Sequence, residues 1–540
     1  APRRPLSPLG PAVRRPPSRG RGLRRALLLA APWSLLACTS SAPTEAGVDA
    51  DAGGLPNIVL IYADDLGWGD IGCLNPDSKI PTPHIDALAA RGMSFTDAHA
   101  PGSVCSASRY GIMTGRYSWR TSVKAGIIYG DHQPWIEPGR LTLASLLRDH
   151  GYDTAAIGKW HLGSDWDAAA RLGRVGADCM PSGIDFSRPV HSGHAVGFTY
   201  DFLHLDWNAA GPEFARSYPG GHGSTLLPDM QDCARWYFED GMSEGGDPDF
   251  RSFDMREAQL RFGERCVEYI EAKGSAGGGS RFNQQEDAPF FLYYAPPMPH
   301  TPVVPADRFL GASGAGLYGD FVCEFDWIVG QIVDALERAS LLDDTMIIVS
   351  SDNGPENTCY LRMQEFTHAS MGPFRGIKRD MWETGHRVPF IVSWPGVVEP
   401  GGTCDAVVGQ TDLLPTFADM LGASMPEDAG EDGVSILPLL RGGRDIVRES
   451  IVYHACEGPL AIRRGDWVLL EEPSVVSWQL EPEWFREARG IDSPEPGPEL
   501  FNLAEDPYQR HNLFDRHPGM VAELSALLVE QVASGRSTDR

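Results

Sequence analysis

The stretch "NIVLIYADDLGWGD", residues 57–70, decides the class of fold. Its first seven residues form a continuous apolar run, which is typical of a strand buried on both faces of a parallel sheet. Asp64 and Asp65 follow directly where that strand must end. Because functional groups of doubly wound sheets gather at the carboxyl ends of the strands, this stretch indicates both a sheet and a functional edge.

Working outward, similar apolar runs alternate with segments that have helical spacing. Each run leads into a polar turn that is rich in glycine or proline, and the alternation predicts an α/β fold with helices on both faces of a sheet. Further strands are predicted in "TAAIGKW" (154–160), "PFFLYYA" (289–295), "TMIIVSS" (345–351) and "VPFIVSW" (388–394). Helices are predicted at 82–92, 141–151 and 324–342.

Composition limits the partners. The 540 residues are 42% hydrophobic, so a sizeable core can form, and the formal net charge is −27. Such a charge argues against nucleic acid or an anionic membrane surface as the main partner. If the substrate is an anion, the site must therefore supply its own positive charge.

The amino terminus has a composition of its own. Residues 1–25 carry eight arginines and no acidic residue, and the short apolar run "ALLLAAPWSLLAC" ends at Cys38. This pattern predicts a signal peptide over residues 1–38, and "LLAC" resembles a lipoprotein processing site that would place a lipid anchor on Cys38. The small, polar and acidic residues 39–55 predict a flexible linker. We expect the mature protein to be exported: periplasmic, a lipoprotein of the outer membrane, or secreted.

Two predicted strands end in adjacent oxygen ligands. Asp64 and Asp65 follow the first strand, and Asp352 and Asn353 follow "TMIIVSS". Hard divalent cations prefer such carboxylate and amide oxygens, and calcium tolerates irregular geometry better than magnesium. Turn formation alone explains either pair, because Asp and Asn are common turn residues. The matching position of the two pairs favours a calcium site, with magnesium as the less favoured ion.

Cationic side chains also follow the predicted strands. Singly they are explained as solvated lysines or hydrogen-bonded histidines, but together they would form a positive lining beside a metal ion. An enzyme that acts on a sulfate or phosphate ester needs this lining, because negative charge develops as the leaving oxygen departs. The candidates are Arg109, Lys159, His161, His300 and Lys378.

The stretch "PGSVCSASRYGIMTG", residues 101–115, places Cys105 at the start of a predicted helix. Ser103 or Ser106 can cap that helix, and a thiolate is favoured at a helix amino terminus near an arginine. Cys105 could therefore be a nucleophile, a metal ligand or a small buried residue. A cysteine-dependent phosphatase loop is excluded, because it needs arginine six positions after the cysteine and position 111 is glycine.

These motifs resemble the sulfatases of the alkaline phosphatase superfamily. The family signature Cys-x-Pro-x-Arg is matched at Cys105, except that position 107 is alanine, and a second signature is matched by "GYDTAAIGKWH" (151–161). The resemblance extends from Asn57 to about Trp394 and continues through "PHTP", "SDNGP" and "ETGHRVPFIVSWPG" in the family's order. It implies a large mixed, mostly parallel sheet flanked by helices, over a catalytic domain at 56–440. A smaller carboxyl-terminal subdomain at 441–540 would hold an antiparallel sheet with a helix.

The resemblance also implies a mechanism. In the family the motif cysteine is oxidised by a formylglycine-generating enzyme to Cα-formylglycine, whose hydrate attacks sulfur. By position, calcium would be held by Asp64, Asp65, Asp352 and Asn353 with residue 105. Arg109 would stabilise the hydrate, and Lys159 and Lys378 would bind sulfate oxygens. His161 would act as base, and His300, alone or with Lys378, would donate to the leaving oxygen.

The expected function is hydrolysis of a sulfuric ester, with an aryl sulfate, a sulfated glycan or a glycolipid as substrate. Two alternatives stay open at this point. Related sites hydrolyse phosphoric or phosphonic esters, and a protein in which Cys105 stays unmodified would be a non-catalytic binding lipoprotein.

Overall fold

A computed structural model of the chain describes residues 54–128, 133–163, 193–204, 237–239, 242–243, 255–275, 282, 288–472, 480–492 and 497–538. The predicted signal peptide with Cys38, and the linker up to residue 53, lie outside these residues. No helix in the described part is long and apolar enough to cross a membrane.

The strands, in chain order, are β1 (Asn57–Ala63), β2 (Met93–Phe95), β3 (Ala98–His99), β4 (Asp153–Lys159), β5 (Tyr200–His204), β6 (Tyr237–Glu239), β7 (Met242–Ser243), β8 (Phe290–Ala295), β9 (Thr345–Ser351), β10 (Phe390–Ser393), β11 (Gly402–Cys404), β12 (Val408–Gly409), β13 (Ser450–His454), β14 (Leu460–Arg464), β15 (Trp467–Leu470) and β16 (Glu499–Asn502). The helices are α1 (Pro83–Arg91), α2 (Cys105–Thr114), α3 (Leu143–Asp149), α4 (Met255–Lys273), α5 (Gly316–Arg338), α6 (Cys359–Phe366), α7 (Glu383–His386), α8 (Leu413–Met420), α9 (Leu437–Leu440), α10 (Glu483–Arg489) and α11 (Pro518–Ala533).

One large sheet organises the fold. Its ten strands run in the order β11-β2-β10-β9-β1-β8-β4-β5-β6-β7. The central strands β9, β1, β8, β4 and β5 run parallel to one another, whereas β10 pairs antiparallel with both β9 and β2, and β6 pairs antiparallel with β5. The predicted mixed, mostly parallel sheet is confirmed.

Strand β1 shows why this sequence forms a central strand. Its residues alternate between two cores: Ile58, Leu60 and Tyr62 pack on one face, while Val59 and Ile61 pack on the other. Burying an aliphatic side chain of this size stabilises the fold by about 1.5–3 kcal/mol. An apolar residue at every position is therefore what a strand with no solvent-facing side requires.

Helices cover both faces of the sheet. Helix α5, the predicted amphipathic helix, packs against α1 and α4 on the face of Val59. Helices α2, α3 and α8 pack together on the face of Ile58. The predicted two-sided α/β arrangement is thus confirmed, and α2 carries Cys105 at its first residue.

The carboxyl-terminal part of the chain forms a second sheet. Strands β13, β14, β15 and β16 pair antiparallel in chain order. Leu524 and Leu528 of α11 pack with Val452 and Ile462 of that sheet. The predicted small antiparallel sheet with a packed helix is confirmed, while the domain boundary at residue 440 stays a prediction.

Candidate active site

The order of the parallel strands decides which residues meet. Strands β9, β1, β8 and β4 are adjacent and point the same way, so their carboxyl ends lie at one edge of the sheet. This topology accounts for the predicted side chains at the strand ends, because every strand delivers its own residues to that edge. Cys105 and Arg109 lie on α2 instead, and Lys378 lies in a turn between α6 and α7. The residues that follow these strands, or end them, are Asp352 and Asn353 for β9, Asp64 and Asp65 for β1, His300 for β8, and Lys159 and His161 for β4.

The oxygen ligands lie together and are buried. Ligand atoms of Asp64, Cys105 and Asp352 lie within 4.8 Å of one another, and so do those of Asp64, Asp65 and His300. The Asp65 backbone N–H donates to Asp352 Oδ1 at 3.1 Å, which ties the two strand ends together. The Asn353 side-chain nitrogen donates to Asp65 Oδ1 at 2.7 Å. These contacts bring the predicted metal ligands into one cluster.

Two oxygens of this cluster have no hydrogen-bond partner although they are buried: Asp64 Oδ1 and Asn353 Oδ1. Burial and the negative charge of Asp64 raise the pKa of Asp352 to about 7. Buried oxygens normally find a partner, and carboxylates crowded into a buried site repel one another. Both observations fit a hard divalent cation at this position.

The predicted cations lie in direct contact with these carboxylates. Arg109 lies on α2, one turn after Cys105. Besides its carboxylate partner, it has two neutral ones: Nη1 donates to the Lys159 carbonyl at 3.1 Å and to the Tyr293 hydroxyl at 3.4 Å. The shortest ion pairs of these cations are Lys159 Nζ with Asp64 Oδ2 at 2.7 Å, Lys378 Nζ with Asp65 Oδ1 at 2.8 Å, and Arg109 Nη2 with Asp352 Oδ2 at 2.7 Å.

Charge pairing at this depth shifts the acid–base equilibria. Burial alone would raise the pKa of Asp64, but the charge of Lys159, reinforced by His300 and Arg109, holds it well below its usual range. Burial alone would lower the pKa of Lys378, but the charge of Asp65 raises it. Asp64 is therefore a carboxylate and Lys378 an ammonium at neutral pH.

The start of α2 differs from the prediction in one respect. The residue that precedes the helix is Val104, and no side chain caps it. The prediction that Ser103 or Ser106 caps α2 is wrong, because each hydroxyl has another partner. The Ser103 hydroxyl donates to the His454 carbonyl at 3.0 Å, and the Ser106 hydroxyl donates to the Ile128 carbonyl at 3.3 Å.

Cys105 lies inside the cluster and is 3% exposed. Burial raises the pKa of its thiol, although Lys159 and Lys378 partly oppose that effect. The unmodified side chain is therefore a neutral thiol at neutral pH, and the structure disfavours the interpretation of Cys105 as an activated thiolate. Ala107, where the family signature has proline, is completely buried in the first turn of α2.

The two predicted histidines are both buried at this edge. His161 has a positive φ of 58°, and neither ring nitrogen has a hydrogen-bond partner. Burial and the charge of Lys159 lower its pKa, so the ring is neutral. His300 Nδ1 donates to the Thr301 carbonyl at 2.6 Å, which leaves Nε2, 3.7 Å from Asp65 Oδ2, as the atom that exchanges a proton.

Sequence analysis missed a group that supports the metal loop. The carboxylate of Asp70 is fully buried and accepts hydrogen bonds from the Tyr318 hydroxyl at 2.6 Å and from His368 Nε2 at 2.8 Å. The Tyr318 hydroxyl also lies 3.3 Å from the Asp65 carbonyl. Asp70 was visible in "DDLGWGD" as an acid after a glycine turn, whereas no local pattern marks Tyr318 or His368.

Comparisons with known proteins agree with this geometry. The family model described as Sulfatase matches residues 56–423. An N-acetylgalactosamine-6-O-sulfatase of Bacteroides thetaiotaomicron is 33% identical over 501 residues, which cover 88% of this chain and 92% of that protein. Human arylsulfatase A is 31% identical over 479 residues, covering 87% and 85% respectively.

A solved Bacteroides thetaiotaomicron structure, described in connection with the metabolism of multiple glycosaminoglycans, has a TM-score of 0.70. It is 29% identical in sequence and covers 89% of this chain and 99% of its own. The family model matches well over half of the chain, and the relatives match most of it. The chain therefore belongs to the sulfatase family and is a sulfuric ester hydrolase.

Proposed function

We propose that this hydrolase removes sulfate from a sulfated carbohydrate, with residue 105 converted to Cα-formylglycine and calcium held by Asp64, Asp65, Asp352 and Asn353. The observation that carries the proposal is the convergence of these oxygens with Cys105, including two buried oxygens that have no hydrogen-bond partner. Hard oxygen donors of irregular arrangement suit calcium better than magnesium.

The charges of the site support a divalent cation. Asp64, Asp65 and Asp352 are each paired with one of the three cations Arg109, Lys159 and Lys378. With all three carboxylates ionised the set is neutral, and the lysines are engaged by carboxylates. A divalent cation bound to the carboxylates would add two positive charges, so the site would attract an anionic ester. The ammonium groups of Lys159 and Lys378 could then contact that ester.

Cα-formylglycine supplies a hydrated aldehyde as nucleophile toward sulfur, and calcium supplies positive charge for the sulfate oxygens. The protein's own residues bind and move protons. Arg109 orients residue 105 from within the same helix, and Lys159 and Lys378 bind sulfate oxygens. His161, a neutral ring with two free nitrogens, takes up a proton from residue 105. His300 gives a proton from Nε2 to the leaving oxygen when the ring is protonated, and the Lys378 ammonium, which carries protons at neutral pH, shares this role.

The substrate class is proposed from the relatives. One has the printed name N-acetylgalactosamine-6-O-sulfatase and another arylsulfatase A. The bacterial relative has the higher identity, which favours a sulfated hexosamine. Turnover should be measured on 6-O-sulfated N-acetylgalactosamine, an aryl sulfate and an aryl phosphate; faster hydrolysis of the phosphate than of both sulfates would contradict the proposal.

A single substitution tests the metal site. Asp352→Ala removes one oxygen ligand and the partner of Arg109, so we expect calcium binding and turnover to be lost together. Asp326→Ala is the matched control, because Asp326 is also a buried carboxylate but accepts backbone N–H groups of α1. It should keep calcium stoichiometry. Normal calcium binding and turnover in Asp352→Ala would refute the assignment.

Mass spectrometry tests the modified residue. The tryptic peptide that contains residue 105 should be lighter than the cysteine form when the protein is purified from its native host, because a thiol has been replaced by an aldehyde. A formylglycine-generating enzyme of the host would have to accept alanine at position 107. An unmodified thiol in a fully active preparation would contradict the mechanism.

Export is part of the proposal. Eight arginines before an apolar run that ends in "LLAC" support a signal peptide and a lipid anchor on Cys38. The mass of the amino-terminal peptide of the mature protein tests this: a lipidated peptide that begins at Cys38 is expected, and an unprocessed terminus would contradict it.

A further inference from the structure

A pair of side chains beside the catalytic cluster has no role in the mechanism above. The guanidinium of Arg379 donates from Nη2 to Glu356 Oε1 at 2.7 Å and from Nη1 to Glu356 Oε2 at 3.0 Å. Unlike the cluster, the pair reaches solvent: the Arg379 side chain is 30% exposed and the Glu356 side chain 20%. We call Arg379 and Glu356 the rim pair.

The rim pair lies next to the groups that would face the leaving alcohol. Glu356 Oε1 is 3.7 Å from Lys378 Nζ, and Arg379 directly follows Lys378 in the chain. His300, the proposed proton donor to the leaving oxygen, lies beside the same lysine: His300 Nε2 is 3.7 Å from Asp65 Oδ2, and Lys378 Nζ is 2.8 Å from Asp65 Oδ1. The side of the site where the alcohol departs is therefore the side where the rim pair reaches solvent.

The backbone at Arg379 adds a second observation. Its φ is 86°, a region in which glycine is the usual residue and long side chains are rare. The Arg379 N–H donates to the Ser103 carbonyl at 2.8 Å, which fixes this conformation to the loop that precedes Cys105. A strained residue that carries a long charged side chain at a catalytic edge points to a function for that side chain.

The rim pair offers donors and acceptors side by side. A guanidinium has five N–H donors, of which the contacts to Glu356 use one on each terminal nitrogen, and a carboxylate accepts several hydrogen bonds. A sugar ring carries hydroxyl groups that both donate and accept, whereas an aryl ring carries none. The chemistry of the pair thus matches a polyhydroxylated leaving group.

We propose that Arg379 and Glu356 bind hydroxyl groups of the sugar ring that carries the sulfate ester, and so select carbohydrate sulfates over aryl sulfates. This inference rests on the proposed function, because it assumes that the ester is held between the cluster and His300. Sites built to hydrogen-bond a substrate hydroxyl discriminate strongly against analogues that lack it.

Arg379→Gly is the decisive variant, because glycine adopts a φ of 86° without strain and the change removes only the side chain. The measurement is kcat/KM on 6-O-sulfated N-acetylgalactosamine and on p-nitrophenyl sulfate. We expect the ratio of the two values to fall at least tenfold, with Arg379→Lys intermediate because lysine keeps the charge but loses the fork.

Arg338→Ala is the matched control. The Arg338 guanidinium, at the end of α5, also contacts a glutamate with two nitrogens, Glu271 in the last turn of α4, but both side chains are about half exposed. This variant should keep the wild-type ratio. A thermal unfolding midpoint of Arg379→Gly close to that of the wild type would show that the fold is retained.

The outcomes separate the inference about the rim pair from the proposed function of the enzyme. If Arg379→Gly leaves the ratio unchanged, whether or not kcat/KM falls for both substrates, the rim pair has a structural role and the inference is refuted. If the wild-type protein hydrolyses neither sulfate ester, the proposed function fails instead. A tenfold fall in the ratio that Arg338→Ala does not reproduce supports the inference.

Discussion

Asp70→Asn tests how the fold supports the metal loop. Asp70 Oδ2 accepts hydrogen bonds from the Gly67 N–H at 2.8 Å and the Tyr318 hydroxyl at 2.6 Å, and Oδ1 accepts one from His368 Nε2 at 2.8 Å. His368 Nδ1 accepts the Lys79 N–H at 3.2 Å, so the ring proton is on Nε2. In the variant, an amide NH₂ that replaces Oδ1 faces this Nε2–H, and the two donors cannot bond.

The magnitude follows from these contacts. Loss of a hydrogen bond to a charged group costs about 1.5–3 kcal/mol. The two bonds on the other oxygen become neutral rather than charge-assisted, which halves their strength and costs roughly 1–2 kcal/mol more. Together these losses should lower the free energy of unfolding by about 2.5–5 kcal/mol. Because the Tyr318 hydroxyl also contacts the Asp65 carbonyl, we expect kcat to fall at least about tenfold.

Urea unfolding followed by circular dichroism measures the first effect, and hydrolysis of the sulfated sugar measures the second. Asp86→Asn is the control, since half-buried Asp86 accepts the Cys73 N–H at 2.8 Å and is an aspartate near the same loop. It should cost less than about 1.5 kcal/mol. A loss below about 1 kcal/mol in Asp70→Asn would refute the argument from the three hydrogen bonds.

The pH dependence of stability gives an independent check. Burial alone would raise the pKa of Asp70, but the hydrogen bond from His368 and the positive charges nearby lower it below its ordinary value. A carboxyl with a lowered folded-state pKa contributes stability that is present above the unfolded pKa, about 3.9, and is lost as pH falls through the folded value. The stability difference between wild type and Asp70→Asn should therefore shrink as the pH falls below about 4.

Two further predictions concern residues of the site. Ala107→Pro should change the free energy of unfolding by less than about 1 kcal/mol, because the N–H of residue 107 in the first turn of α2 has no intrahelical partner to lose. A poorly folded variant would contradict this expectation about stability. Mass spectrometry should find at least as much formylglycine in the variant as in the wild type. His161→Asn keeps a residue type that tolerates positive φ and breaks no hydrogen bond, so kcat should fall about 10²–10⁴-fold with little change in unfolding midpoint. Turnover near the wild-type value would exclude His161 as the base.

The sheet and the residues at its edge could be predicted because both depend on local patterns. A buried parallel strand needs apolar residues at every position, as in "NIVLIYA", and the change to Asp64 and Asp65 marks its end. The same change marks the end of β9 at Asp352. Once the strands are parallel and adjacent, their carboxyl ends must meet, so the convergence of these side chains follows from topology.

Other features depend on contacts that no local pattern encodes. His368 and Tyr318 reach Asp70 across 298 and 248 residues of chain. The serines near Cys105 match a helix-capping pattern, yet Ser103 bonds to His454 of the carboxyl-terminal sheet because that sheet packs against the loop. Tertiary contacts compete with the local cap here and prevail, which explains the one wrong detail in the predicted start of α2.

Several residues of the site have a positive φ, a backbone conformation that their residue types disfavour. Six non-glycine residues of the described part have positive φ, and three of them are Asp65, His161 and Arg379. Thr367 and Ser340, by contrast, follow α6 and α5, where such a conformation commonly ends a helix. The positive φ at Asp65 turns the chain just past β1, so that the side chains of two consecutive residues converge instead of pointing to opposite faces of a strand. Each such residue costs about 1–2 kcal/mol relative to glycine, and glycine carries no ligand, base or guanidinium. Backbone strain is therefore expected at this edge wherever one residue must combine a positive φ with a reactive side chain. At such residues the conformational preference of the residue type is the poorest guide to the structure.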